Sequence, residues 1–440
     1  MFGMGTRKTG AVAPTMERQA QPFLRIYASD FHARDPELAR HLSLLMPEGR
    51  SHELCGAAEL GAQMTPPDAD FVLSLLLAPS LLDGLADAVL AARAAGRNTT
   101  LIVAVTNAQL TALGQWLHKR GNENRLGGLR LLVAPNAESA IRQLPQRLGA
   151  VVEDNLIRMP ISSEVENSPM RNFYTFSPEL QALVARIRAY AANGIHRTYL
   201  LGGPGSGKTS LSYYYYLVRN RGRFVSVNLA AENTGDKAAV KSLLCGHVSG
   251  AFPGAGSRTG AFSHARDGVC FIDESHGITG PVMEVLMEAF DNGQYLPFGA
   301  SAKQSLECAI VFASNRSWET LQNSVNIDEF TRIGAATLSV PELHKREEDM
   351  IAVVATTLAR LSERCTNWTQ PKGVSEEAWV RIKQCRWHGN IRALVRVLES
   401  AFVDYGVRGG DTMIQTDEID AGIKLWEPAN HHSHQLYAVA

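Results

Sequence analysis

Short apolar runs alternate with helical patterns along the first third of the chain. Between residues 21 and 149, apolar segments such as ADFVLSLLLAP and TTLIVAVT are each followed by an amphipathic helical pattern. Strands that alternate with helices of this length are typical of βαβ units on a parallel sheet. The sequence therefore predicts one α/β domain over residues 21–149.

A second α/β pattern follows and ends in a helical region. Residues 150–175 contain Pro160, Pro169 and several Ser and Asn residues, which predict a linker. Strands and helices alternate again over residues 176–343, and helical patterns dominate residues 344–425. Residues 1–20 and 426–440 show no periodicity, so we expect a flexible leader and a flexible tail.

The charges of the chain nearly cancel. Its 43 Lys and Arg residues against 44 Asp and Glu residues give a formal net charge of −1, so no global field attracts nucleic acid or an acidic membrane. The longest apolar stretch, residues 71–92, is interrupted by Asp83 and Asp87, and residues 1–20 contain no apolar signal segment. We therefore expect a cytoplasmic protein without a membrane partner.

A phosphate-binding motif lies between an apolar strand pattern and a helical pattern. Residues 202–209 read GGPGSGKT and match GxxxxGK[ST] in the strand-to-helix context that this motif requires. Glycines let successive backbone N–H groups surround phosphates, Lys208 adds a positive charge, and the Thr209 hydroxyl can bind Mg²⁺. The predicted nucleotide-binding residues are Gly202, Gly203, Pro204, Gly205, Ser206, Gly207, Lys208, Thr209 and Ser210.

Two acidic residues follow the next apolar strand that carries carboxylates. The segment GVCFIDES ends in Asp273 and Glu274, about 65 residues after the phosphate motif. Asp273 is predicted to hold Mg²⁺ together with Thr209, and Glu274 is predicted to orient the attacking water. A third strand pattern ends in Ser314 and Asn315, which could reach the γ-phosphate. These positions predict an ATPase site at one sheet edge.

A short glycine-rich segment lies between the two halves of this site. Residues 250–255 read GAFPGA and are followed by RTGAF at residues 258–262. With the phosphate motif and the acidic pair, this order resembles the AAA+ domain of bacterial enhancer-binding proteins, the ATPases that activate sigma-54 RNA polymerase. Their hallmark is a GAFTGA loop, and the resemblance covers residues 176–423. The corresponding client-loop residues are Gly250, Ala251, Phe252, Pro253, Gly254 and Ala255.

The resemblance implies roles for four further residues. Asn228, in FVSVN, matches an asparagine that restrains the catalytic glutamate, and Asn315 matches the sensor I position. Arg332 matches the second of two arginine fingers that reach a neighbouring subunit. Arg392, in WHGNIR, matches the sensor II arginine of the lid. An arginine supplied from a neighbour implies a ring, a hexamer of one or more chain types, that binds ATP and Mg²⁺.

The same resemblance implies that the loop grips sigma-54 and remodels the closed promoter complex. Pro253 replaces the threonine of the family loop, and proline fixes φ, so we expect a stiffer tip. Asn326 stands where the family has its first arginine finger, so hydrolysis is expected to be slow unless Arg332 suffices. Two alternatives are an AAA+ remodeller or nucleotide switch with another client, and a non-hydrolysing partner in mixed rings.

The N-terminal domain resembles a response-regulator receiver without its chemistry. Leu75 occupies the phosphoacceptor position, Ala134 replaces the receiver lysine, and Asp30 alone represents the acidic pair, while Thr106 matches the switch hydroxyl. Without a carboxylate at position 75, aspartyl phosphorylation there is chemically excluded. We predict a pseudo-receiver that regulates through protein contact or a ligand, with an unrelated flavodoxin-like domain as the alternative.

Residues after Ala401 show no pair of amphipathic helices with a basic face, as a helix-turn-helix would require. We therefore expect no direct DNA contact from this region. An activator of this kind would work from solution, in a mixed hexamer, or through a DNA-binding partner protein.

Overall fold

The computed structural model describes residues 23–45, 50–60, 64–65, 67–162, 168–229, 236–275, 280–316, 319 and 336–428. The predicted leader and most of the predicted tail lie outside these residues. So do Asn326 and Arg332, the two positions matched to arginine fingers.

The N-terminal domain is a five-stranded parallel sheet with the strand order β2-β1-β3-β4-β5. Helices cover both faces of the sheet, so β3, β4 and β5 are buried along their whole length. This burial explains the continuous apolar segments in the sequence of this domain. This confirms the predicted α/β class. The strands are β1 (Leu24–Ala28), β2 (His52–Gly56), β3 (Phe71–Leu75), β4 (Thr100–Val105) and β5 (Leu129–Val133). The helices are α1 (Asp30–Ala33), α2 (Pro36–Leu45), α3 (Leu82–Ala94), α4 (Leu110–Asn122) and α5 (Ala137–Gln143).

The stretch predicted to be a linker contains regular structure. Strands β6 (Leu156–Pro160) and β7 (Met170–Tyr174) pair in antiparallel register, with Ile157 opposite Phe173. Both of these side chains are buried in the core of the second domain. The Asn155 side chain donates hydrogen bonds to the carbonyls of Leu129 (3.0 Å) and Thr175 (3.2 Å). Two prolines therefore did not prevent pairing, because this short ribbon buries apolar side chains on one face.

The second domain is another five-stranded parallel sheet, with the order β16-β8-β15-β12-β9. Separate hydrophobic clusters cover its two faces. Its strands are β8 (Arg197–Leu201), β9 (Phe224–Asn228), β12 (Val269–Asp273), β15 (Ala309–Ser314) and β16 (Ala336–Ser339). Its helices are α6 (Pro178–Ala192), α7 (Lys208–Arg219), α8 (Lys237–Cys245), α9 (Ala261–His264) and α10 (Gly280–Asn292). Two small hairpins extend from it, β10 (Gly246–His247) with β11 (Arg258–Thr259) and β13 (Gln294–Tyr295) with β14 (Gln304–Ser305).

The C-terminal region is a helical lid, as the sequence pattern indicated. Its helices are α11 (Glu347–Arg364), α12 (Glu376–Gln384), α13 (Asn390–Val407) and α14 (Thr416–Trp426), and strands β17 (Gly373–Val374) and β18 (Met413–Ile414) join its loops. Trp387 is buried and donates from Nε1 to the Ile382 carbonyl at 2.9 Å. In the part of the chain that the structure describes, no helix is long and apolar enough to cross a membrane.

The N-terminal domain packs directly on the lid. Helices α4 and α11 lie against each other, and the buried side chains of both belong to one continuous hydrophobic cluster. The approach is close enough that a Cβ atom at Gly114 would lie 1.9 Å from the Ala355 carbonyl oxygen. The Thr111 hydroxyl also donates to the Pro371 carbonyl at 2.7 Å. The two regions therefore share a core, which the sequence did not reveal.

Candidate functional site

The phosphate motif forms a loop between strand β8 and helix α7. Gly202 begins the loop and donates its N–H to the Ser314 carbonyl at 3.1 Å, which ties it to the end of β15. Gly207 ends it in the left-handed conformation, with φ of 107°. A Cβ atom there would lie 2.2 Å from the Phe173 ring, so only glycine fits. Lys208, Thr209 and Ser210 then form the first turn of α7, whose N-terminus faces the loop.

The Lys208 ammonium is held at the mouth of this loop. Its Nζ donates to the carbonyls of Gly202 (2.8 Å) and Gly203 (3.1 Å). Burial lowers the pKa of Lys208, while the nearby Asp273 and Glu274 carboxylates act in the opposite direction. A buried cation close to two carboxylates suits the binding of a polyanion with a divalent metal ion.

The acidic residues lie at the same sheet edge. Strand β12 is the neighbour of both β9 and β15, and Asp273 pairs in register with Asn228 of β9. Glu274 follows with φ of 50°, and its N–H donates to the Asp273 side chain at 2.9 Å. Asn315 follows β15 directly and is exposed. The structure thus brings Asn228, Asp273, Glu274 and Asn315 to the strand ends that face the phosphate loop.

A buried hydroxyl pair fixes the end of β12. Ser275 donates from Oγ to the Ala313 carbonyl at 2.8 Å, and its oxygen lies 2.5 Å from the Tyr199 hydroxyl oxygen. Burial raises the pKa of Tyr199 to about 12, so this phenol is neutral at neutral pH. No sequence motif indicates this contact, which connects β8, β12 and β15 just beside Glu274.

Asn390 connects the lid to the phosphate loop, although the sequence did not single out this residue. Its Nδ2 donates to the Pro204 carbonyl at 3.1 Å, and its Oδ1 accepts from the Leu343 N–H at 2.8 Å. The Ile391 N–H also donates to the Gly205 carbonyl at 3.3 Å. Arg392 lies beside the loop, where its charge lowers the pKa of Lys208. Asn390 belongs to the WHGNIR motif of residues 387–392. It adopts φ of 48° and starts α13.

Thr209 and Asp273 form the donor set predicted for Mg²⁺. Hydroxyl and carboxylate oxygens are suitable ligands for this ion, which commonly completes its shell with water and nucleotide oxygens. Among the residues described here, no group of three or more His, Cys, Asp or Glu side chains forms a protein-only metal site. The oxygen donors of Thr209 and Asp273 fit the chemistry of Mg²⁺.

One carboxyl is buried where the lid contacts the start of the second domain. Asp349, in the first turn of α11, accepts hydrogen bonds from the N–H groups of Phe176 (2.6 Å) and Ser177 (3.3 Å). Burial raises the pKa of Asp349 to about 6, although the neighbouring Arg346 opposes this change.

Replacing Asp349 with Asn is expected to change how stability depends on pH. A carboxyl whose pKa is higher in the folded than in the unfolded protein stabilises most below the unfolded value, and this contribution is lost as pH rises through the folded value. Two pKa units correspond to about 3 kcal/mol. From pH 4 to pH 7, the free energy of unfolding of the parent minus that of D349N should therefore fall by about this amount in urea titrations. A difference that is constant or rises with pH would contradict the assignment.

The client loop is a tight turn at the tip of the β10–β11 hairpin. The Ala255 N–H donates to the Phe252 carbonyl at 2.9 Å, and Gly254 has φ of 81°. Proline at the second position and glycine with positive φ at the third match a type II β-turn. Pro253 therefore fits the turn, and the stiffer tip stays a prediction.

Phe252 is exposed at this tip, with 42% of its surface accessible. Its ring centroid lies 5.0 Å from that of His247 and 6.2 Å from that of Phe298. The Val248 N–H donates to the Phe298 carbonyl at 3.1 Å, which joins the client loop to the segment between β13 and β14. The ring thus contacts His247 and Phe298 while 42% of its surface remains accessible.

In the N-terminal sheet, the side-chain amide of Gln109 connects the segments that follow strands β3 and β4. Gln109 donates from Nε2 to the carbonyls of Leu76 (3.3 Å) and Leu77 (3.4 Å), and its Oε1 accepts from the Thr106 N–H at 2.8 Å. Leu75 is buried in β3. The absence of aspartyl phosphorylation at position 75 stays a prediction.

Comparisons with known proteins agree with this architecture. Residues 173–339 match the model of the Sigma-54 interaction domain, and residues 344–435 match the model of the AAA+ ATPase lid domain. The regulatory protein LuxO of Vibrio parahaemolyticus is 29% identical over 263 residues, which cover 58% of this chain and 57% of LuxO. The DNA-binding transcriptional regulator NtrC of a Bradyrhizobium species is 33% identical over 198 residues, covering 44% of this chain and 40% of NtrC. The chain thus spans about half the length of these relatives.

Among solved structures, NtrX from Brucella abortus has a TM-score of 0.50 at 17% identity. The superposition covers 94% of this chain and 88% of NtrX. At this identity the similarity concerns the fold, and it includes the N-terminal sheet as well as the second domain and the lid.

Proposed function

Because this chain belongs, through residues 173–339 and 344–435, to the sigma-54-interacting AAA+ ATPases, we propose that it uses ATP to remodel sigma-54 RNA polymerase. The observation that carries the proposal is the match of residues 173–339 to the Sigma-54 interaction domain, combined with the exposed Phe252 at the tip of the client loop. The activity would take place in the cytoplasm, where this polymerase acts.

In this proposal, the phosphate loop binds the β- and γ-phosphates of ATP. Its backbone N–H groups, the Lys208 ammonium and the N-terminus of α7 supply positive charge, and Arg392 adds a second cation from the lid. Thr209 and Asp273 would hold Mg²⁺, which supplies charge neutralisation to the phosphates when bound. Asn390 supports the proposal because it connects the lid to the same loop.

Glu274 is proposed as the general base that orients the attacking water. Glu274 follows β12 directly and lies beside Asp273. Asn228, which pairs in register with Asp273, is proposed as the nucleotide-dependent restraint on Glu274. Asn315, at the end of the adjacent strand, would sense the γ-phosphate. Arg332 would reach the site of the next subunit, so hydrolysis would require a ring, which we propose to be a hexamer.

The client loop is proposed to contact sigma-54 through Phe252. A type II turn holds residues 252–255, so the ring is presented from a preorganised tip rather than from a disordered segment. The proposal includes no direct DNA contact by the described residues after Ala401, because α14 packs on α12 and α13 as part of the lid. Promoter selection would then depend on a DNA-binding partner or on activation from solution.

The test is complex formation between the purified protein and sigma-54, in Mg²⁺ with an ATP transition-state analogue. The proposal predicts a complex that forms only with nucleotide and disappears in the Phe252→Ala variant, whose ATP affinity should equal that of the parent. A protein that binds ATP but forms no complex would contradict the sigma-54 assignment. If a complex appears only in the Pro253→Thr variant, the natural loop serves a different client and the assignment is also overturned.

A further inference from the structure

Three buried charged residues at the start of α11 contact three different parts of the molecule. Arg346 precedes the helix, and Glu348 and Asp349 lie in its first turn, all with about 1% or less of their surface exposed. Asp349 accepts hydrogen bonds from the N–H groups of Phe176 and Ser177, where the second domain begins. The other two residues connect the N-terminal domain with the phosphate loop.

Glu348 contacts the N-terminal domain through a buried ion pair. The Arg130 Nε of strand β5 donates to both carboxylate oxygens of Glu348 at 3.1 Å, and the Leu131 N–H donates to Oε2 at 3.1 Å. The side chains of Arg130 and Glu348 are 5% and 2% exposed. Arg147 reinforces the contact, because its Nε lies 3.5 Å from Glu348 Oε1. Such a desolvated, multiply bonded pair fixes geometry far more strictly than a surface pair does.

Arg346 contacts the phosphate loop from behind. Its Nη2 donates to the Ser206 carbonyl at 3.3 Å, while its Nε and Nη1 make no hydrogen bond within the described part of the chain. Side chains two positions apart at the start of a helix do not face each other. Arg346 therefore contacts the phosphate loop, and Glu348 contacts the N-terminal domain. A displacement of β5 against α11 would therefore shift the residue that supports Ser206.

We propose that Arg130 of the N-terminal domain is a positioning residue for the phosphate loop, acting through Glu348 and Arg346. The N-terminal domain is then a structural part of the nucleotide site, and its conformation regulates ATP affinity. The inference rests on the proposed function only for the identity of the nucleotide. It gives the degenerate domain a role that requires no phosphoryl chemistry, because the coupling is mechanical and passes through buried contacts.

The test uses the full-length double variant Arg130→Gln/Glu348→Gln. Removing both charges avoids an unpaired buried ion, because Arg147 keeps its ion pair with Glu347. Both glutamines retain hydrogen-bonding groups. The matched control is Glu138→Gln/Arg142→Gln, which removes an exposed ion pair on α5 of the same domain. ATP dissociation constants are measured with a fluorescent ATP analogue, and amide hydrogen exchange is followed over residues 202–211 without nucleotide.

The expected result is a dissociation constant raised about fivefold or more and faster exchange over residues 202–211 in the double variant, with parent values in the control. A folded double variant with parent affinity and parent exchange would overturn the inference. If the parent itself fails to bind ATP, the proposed function is contradicted, while exchange over residues 202–211 still decides the coupling.

A second measurement needs no variant, in case the double variant fails to fold. Coupling between two sites is reciprocal. ATP binding to the parent should therefore slow amide exchange in β5 and leave the exchange in β1, near the opposite edge of the sheet, unchanged. Equal responses of β5 and β1 to saturating ATP would overturn the inference.

Discussion

The Glu274→Gln protein is expected to bind ATP with nearly the affinity of the parent and to hydrolyse it at least about a hundredfold more slowly. A positioned general base contributes about 10² to 10⁴ in rate, and glutamine keeps the shape of the side chain while losing its basicity. Binding is spared because the phosphate loop and Lys208 are on different elements from Glu274. ATP turnover and nucleotide affinity should be measured on the same preparation.

Glu284→Gln is the matched control for this variant. Glu284 is an exposed acid on α10 of the same domain and pairs with Lys237 at the surface. Its replacement should leave turnover unchanged. A Glu274→Gln protein that retains turnover within a fewfold of the parent would show that another group activates the water.

The Lys208→Met protein is expected to bind ATP about ten- to a hundredfold more weakly. A hydrogen bond to a charged group contributes about 1.5–3 kcal/mol, which corresponds to this range in dissociation constant. Methionine has a similar length, so the buried stem of the side chain keeps its packing and the fold is expected to remain intact. Titration with a fluorescent ATP analogue gives the affinity, and thermal unfolding without nucleotide checks the fold.

Lys237→Met is the corresponding control, because Lys237 is exposed on α8 of the same domain. It should bind ATP as the parent does. Equal affinities in the Lys208 and Lys237 variants would exclude residues 202–209 as the phosphate site.

The fold class and the clustering of the predicted site could be anticipated because their signals are local. A strand, a glycine-rich loop and a helix N-terminus are adjacent in sequence, so residues 202–209 predict their own geometry. Asp273 and Asn228 lie far apart in sequence, yet both end parallel strands, and parallel strands present their carboxyl ends at one edge. The structure confirms this proximity, while the catalytic roles of these residues remain predictions.

The contacts between distant elements could not be anticipated in the same way. The packing of α4 on α11 depends on Gly114 meeting the Ala355 backbone, and no local pattern pairs these residues. Arg130 and Glu348 are 218 positions apart, and each reads in sequence as an ordinary surface charge. Their burial follows only from the docking of two domains, which is a property of tertiary structure.

Local patterns were also incomplete at three places. The β6–β7 pair was hidden because prolines and polar residues suggested a linker, although Ile157 and Phe173 face the same core. Helix α14 falls within the predicted helical region, but its packing on α12 and α13 as part of the lid could not be inferred from its own residues. Asn390 was treated as part of a motif, whereas its side chain joins the lid to the Pro204 carbonyl.

We propose that this chain converts ATP binding and hydrolysis into remodelling of sigma-54 RNA polymerase. The most direct measurement is open-complex formation by purified sigma-54 holoenzyme on a sigma-54-dependent promoter, detected by the reactivity of unpaired bases, with the full-length protein and ATP. We expect promoter opening that requires ATP and is lost in both the Phe252→Ala and Glu274→Gln variants. A parent protein that hydrolyses ATP while the promoter remains closed would contradict it.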